Sequence, residues 1–184
     1  MPAFTPEERT EIVLSELEPL KAQLQDAGVE CRSATDQRIL TSPQYALAIP
    51  IIIRFLQEGG LSDRTSSAVA GLLTGKGAAL KAAWPDIVAL YKAAQDGTGP
   101  RVKGDTAIHS FGTKTMLANA VMRAFSAKRL PELLKLVQDT SQGETRIIIM
   151  SPLKPKRTDP EVAAVLERLR ADPQMANELA TWPK

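Results

Sequence analysis

Four prolines, Pro50, Pro85, Pro131 and Pro160, recur along this chain, each before a cluster of apolar residues, and their recurrence constrains the fold more than any other feature. Ile51 to Ile53 with Phe55, Ile87-Val88 with Leu90-Tyr91, Leu133-Leu134 with Leu136-Val137, and Val162 with Val165-Leu166 follow them in turn. Proline suits a helix start because its fixed φ matches the helix and its missing N–H would be unpaired there. The four are 35, 46 and 29 residues apart. Helix–turn–helix units of roughly 30 to 47 residues predict a stacked α-array, in which each pair buries its apolar stripe only against its neighbours. An ordinary helical bundle, with proline opening helices for local reasons, is the alternative.

Other segments agree with an all-α reading. Thr5, Pro6 and Glu8 form a capping box, and Ile12, Val13, Leu17, Leu20 and Leu24 recur as one stripe that Gly28 ends, with Pro19 predicting a kink. Residues 29 to 42 read as irregular, with a helical turn near Asp36 to Leu40. The run Ile49 to Ile53 could be a strand, since β-branched residues favour extended structure, but Leu47, Ile51 and Phe55 keep a spacing of four and favour helix. Ser62 or Asp63 caps the next helix, which Gly75 and Gly77 close. A helix pair, or one broken helix, is expected over Val102 to Phe125. A helix carrying Arg146, Ile148 and Ile149 follows Gly143, and Asp172-Pro173 opens a last one reaching Trp182. The organisation expected is an N-terminal helix with its connection over residues 1–42, then a helical array over 43–184, compact as a whole.

The chain has 184 residues, 43% of them hydrophobic, which is enough for a sizeable core. No apolar run approaches the roughly 18 residues of a membrane span, and no secretory signal is visible. A cytoplasmic protein without a membrane partner is expected. One cysteine and one histidine leave little for a disulfide framework or a multi-residue metal site, so no cofactor and no metal are expected. The net charge of +2 hides segregation: residues 1–30 carry −5, 31–100 carry +2, 101–157 carry +7 and 158–184 carry −2. A basic stretch of that kind attracts an acidic protein or a phosphate backbone when it folds onto one surface, and is otherwise a solvated face.

Catalytic signals are weak. Gly71 to Gly77 superficially resembles a phosphate loop, but three residues rather than four separate the first glycines and Gly77 stands where a Ser or Thr is required. A helix C-cap explains it. His109 could act as acid or base with Asp105, four residues earlier on a shared helix face, although such a pair is more often structural. Cys31 has only Arg32 to activate it. Glu7, Glu8 and Glu11 suit a helix N-terminus, and Asp159 and Asp172 suit N-caps. No enzyme is expected.

The segments Leu133 to Asp139 with Gly143 to Arg146, and Val165 to Met175, resemble HEAT-type helical repeats. In that family an Asp follows the first helix and an Arg opens the second; Asp139 with Arg146 resembles that pair, as does Asp172 with Met175. Ala176 stands where the second Arg would be, and Pro152 and Pro155 interrupt the helix after Arg146. The resemblance is best over residues 129–182 and looser from residue 43. It implies an all-α HEAT-like stack of antiparallel helix pairs, with the N-terminal helix as a cap.

The function expected is therefore non-catalytic binding of a protein partner, as a scaffold or an immunity-type inhibitor, through an extended solenoid face. The candidate contact residues are Arg101, Lys103, Lys128, Arg129, Arg146, Lys154, Lys156 and Arg157, with Lys114 and Arg123 in the same basic stretch. Such a surface would also suit a nucleic-acid backbone, with strongly salt-dependent binding, although aromatic stacking residues are scarce. The resemblance admits a third, remote reading as a DNA glycosylase, for which Trp84 and Asp86 are the local candidates.

Overall fold

The N-terminal capping box forms as the sequence requires: Glu8 N–H donates to Thr5 Oγ1 at 3.2 Å, and Thr5 N–H donates to the Glu8 carboxylate at 2.7 Å. These bonds open α1 (Pro6–Asp26) in a computed structural model of the chain, which describes residues 3–182. The structure is predominantly helical. Among the described residues no helix is long and apolar enough to cross a membrane. The chain divides into two compact units, Met1–Ala124 and Phe125–Lys184.

In the first unit α1 packs on α2 (Tyr45–Glu58) and α3 (Asp63–Gly71). It continues through Pro19, whose exposed ring lies on the outer face. A 3₁₀ turn, Gln37–Thr41, is capped by Asp36. α2 is helical despite its isoleucines, and it buries Ile49, Ile51, Ile52, Ile53 and Phe55 against α1, α3, α4 (Ala78–Ala82) and α5 (Trp84–Ala93). The helix-propensity loss of at most about 0.7 kcal/mol per β-branched residue is small beside the roughly 1.5–3 kcal/mol gained by burying each side chain. Pro50 is not at the front of this helix but in its second turn. It is tolerated there because Pro50 and Ala46, whose carbonyl loses its partner, are both exposed, so water can take that carbonyl.

The helical expectation for Val102 to Phe125 is corrected in its first half. Strands β1 (Thr98–Pro100) and β2 (Ile108–Ser110) pair antiparallel, with Gly99 opposite His109, before α6 (Thr113–Ala124) begins. Asp105 accepts from the N–H groups of Thr106 and Ala107, a local turn that competes with helix. α6 packs on α3, α4 and α5.

In the second unit α7 (Leu130–Gln138) buries Leu133, Leu134, Leu136 and Val137, and α9 (Pro160–Leu169) buries Val162, Val165, Leu166 and Leu169. Between them the 3₁₀ turn Thr140–Thr145 leads into the short α8 (Arg146–Ile149), and the proline-containing 3₁₀ segment Ser151–Lys156 follows. α10 (Pro173–Ala180) is capped by Asp172, as expected. α7 packs on α8 and α9, and α10 packs on α8 and α9.

The Gly71 to Gly77 segment is explained by packing. Tyr45 Oη donates to Leu72 O at 2.9 Å and accepts from Gly75 N–H at 3.2 Å. Burial pushes the Tyr45 phenol up to about 12, keeping it a neutral donor. A Cβ on Gly75 would lie 2.6 Å from the Tyr45 ring. Gly75→Ala is therefore expected to cost about 1–3 kcal/mol by forcing that ring aside, read as a lower urea midpoint. An unchanged midpoint would mean the ring has room to move.

Candidate partner-binding surface

The basic residues of the sequence separate by what each one touches. In the first unit three carboxylates do the tying. Glu16 on α1 accepts from Ser62 N–H and Oγ, and from Thr65 Oγ1, at the start of α3. Asp63, in the first turn of α3, accepts from Arg101 Nε at 2.7 Å, from Gly112 N–H at 3.0 Å, and from Thr113 N–H and Oγ1 at 2.9 and 2.7 Å. It thus serves donors at the start of α6 from a different helix. Asp105 accepts from Arg9 Nε at 2.6 Å and from Phe4 N–H at 3.0 Å, which pins the N-terminus to the hairpin.

Arg101 is therefore half-committed to Asp63, and Lys103 is exposed with its Nζ donating to Gly60 O. Lys114 is buried under the Tyr91 ring, 5.4 Å from its centre, and so leaves the basic surface. Arg123 is exposed on α6.

In the second unit Arg146 is corrected from contact residue to internal tie. Its side chain is 1% exposed, and it pairs with Asp172 Oδ2 at 2.7 Å. It also donates to Gln174 Oε1 at 2.7 Å and to Gly143 O at 2.9 Å. The Gly143 carbonyl is presented by a backbone with φ of 65°, which a side chain would strain. Arg146 of α8 thus holds the N-terminus of α10. Arg129 pairs with Glu132, three residues on. Lys128 is exposed.

Lys154, Lys156 and Arg157 form a different group. They follow Pro152 and flank Pro155 in one 3₁₀ segment and its cap. Lys154 Nζ lies 5.6 Å from the centre of the Trp182 ring, and an Arg157 guanidinium N–H donates to Lys154 O at 3.4 Å. None of the three forms an ion pair with a carboxylate among the described residues. The result is three cations within four residues on a proline-containing corner, none of them ion-paired among the described residues.

The remaining candidates do not assemble. His109 lies exposed on β2, and Asp105 is turned towards Arg9, so the shared helix face does not exist. Burial pushes the Cys31 thiol up, with Asp36 adding to the effect, away from thiolate reactivity. Trp84 is a 2% exposed core residue and Asp86 is exposed. Among the described residues no group of three or more His, Cys, Asp or Glu is placed to hold a metal.

The structural carboxylates set the acid sensitivity. Arg9 first, then the Phe4, Ala107 and Thr106 N–H groups, holds Asp105 well below the usual carboxylate range. For Asp63, burial raises the value, but the bonds from Gly112, Thr113 and Arg101 outweigh it and the net direction is down. Arg146 lowers Asp172. Groups lower in the folded than in the unfolded chain contribute stability that is complete above the unfolded value of about 3.9 and is lost as pH falls towards the folded values. Urea midpoints should therefore hold near neutrality and fall below about pH 4, and Asp63→Ala should remove about 3 kcal/mol at pH 7 while flattening that acid limb. A limb of unchanged steepness in the variant would put the acid sensitivity elsewhere.

No family model, no curated protein and no solved structure matches this chain.

Proposed function

We propose that this protein is a non-catalytic binding module that engages an acidic protein partner through the Lys154, Lys156 and Arg157 corner of its second unit. The observation that carries the reading is the contrast within that unit: Arg146 is buried on Asp172, whereas these three cations have no carboxylate partner among the described residues. Leaving like charges adjacent costs some stability, and an opposite charge on a partner offsets it and steers the encounter. The two prolines reduce the chain entropy lost on docking. The HEAT-like reading of the unit is supported by α7 packing on both α8 and α9, by α10 packing on both α8 and α9, and by Arg146 tying α8 to α10. Scaffold and immunity-type inhibitor roles belong to that resemblance.

Backbone binding of nucleic acid is the weaker reading. It drew on cations spread over residues 101–157, but Lys114 and Arg146 are buried and Arg101 is half-committed to Asp63. The experiment is capture from native lysate by the full chain and by a Lys154→Glu, Lys156→Glu, Arg157→Glu variant, with and without nuclease. A bound protein that survives nuclease and is depleted about tenfold or more by the variant is the expected outcome. Capture that disappears with nuclease, or that charge reversal leaves unchanged, would overturn it.

A further inference from the structure

We propose that a cleft in the first unit, independent of the basic corner, binds a medium-chain aliphatic carboxylate, with Lys103 holding the carboxylate. The cleft is open to solvent and has a volume of about 630 Å³, within the roughly 300–1,000 Å³ typical of small-molecule sites. The apolar part of its wall comes from Leu56, Leu61, Leu90, Phe111 and Leu117, contributed by α2, the loop after it, α5, the segment after β2, and α6, and polar side chains such as Ser66 and Gln95 line the rest. The apolar part of that wall releases water to a hydrocarbon chain.

The charge of the cleft is what selects the ligand. Only two lining residues are ionised, Asp63 and Lys103. Asp63 is occupied by Arg101, Gly112 and Thr113, so its charge is already answered. Lys103 has three donors, and the bond recorded for its Nζ goes to the neutral carbonyl of Gly60. No carboxylate pairs with it among the described residues. One unanswered ammonium over an apolar wall matches a monoanion with a hydrocarbon tail. An amine of the same length would meet like charge, an alcohol would forgo the charge-assisted bond, and a dianionic phosphate would find one cation where two are needed.

The test is calorimetric titration of the full chain with octanoate, octylamine and octanol. Saturable binding of octanoate is expected, with octanol weaker and octylamine showing none. Lys103→Gln should weaken octanoate about tenfold, the value of one charge-assisted bond, and Lys103→Arg should restore most of it. Ala93→Phe, at an exposed lining position, should abolish binding while leaving the circular dichroism spectrum unchanged. Absence of saturable octanoate binding, equal binding of octylamine, or affinity indifferent to Lys103→Gln or to Ala93→Phe would overturn the proposal.

Discussion

The Asp63 carboxylate is where the first unit closes on itself. A charge 9% exposed at its side chain is costly unless it is paired and hydrogen-bonded. Asp63 meets that requirement only when α3, the start of α6 and Arg101 after β1 are all in place. Its neighbours repeat the device: Glu16 joins α1 to α3, and Asp105 joins the hairpin to the N-terminal segment. Each carboxylate therefore reports on contacts 38 or more residues away in sequence. In the second unit Arg146 does the converse, a buried cation satisfied by Asp172, Gln174 and the Gly143 carbonyl.

This inward use of charge decides what the surface can offer. A sequence stretch of +7 looks like one interaction face, yet Arg101, Lys114 and Arg146 are occupied by Asp63, Tyr91 and Asp172. What remains outward includes the Lys154 to Arg157 corner and Lys128 in one unit, and Arg123 and Lys103, beside a cleft, in the other.

Local signals were legible in the sequence and long-range ones were not. The Thr5 box, the helical turn near Asp36, the Asp159 and Asp172 caps, and the apolar stripes of α7 and α9 are set by neighbours within a turn or two, and they fold as read. Pro50 was misplaced because a proline inside a helix and one at its start look alike until it is known which side faces water. Residues 102–112 were read as helix from composition, but Gly97 and Gly104 at positive φ and the Asp105 turn make a hairpin. Arg146 was recognised as part of an Asp–Arg pattern yet also counted as surface, since its burial follows from α10 packing behind it. Nothing within ten residues of Asp63 announces that its partners lie at Arg101 and Gly112.

Arg9, Arg101 and Arg146 are tied to other parts of their own units, whereas Arg54 and Arg123 face solvent. Arginine Nε–H groups report this directly, because Arg9, Arg101 and Arg146 each make their internal bond through Nε. Side-chain hydrogen exchange followed by NMR should give slow Nε–H signals for these three and rapid exchange for the exposed Arg54 and Arg123. Exchange of Arg101 and Arg146 as fast as that of Arg54 would contradict the account.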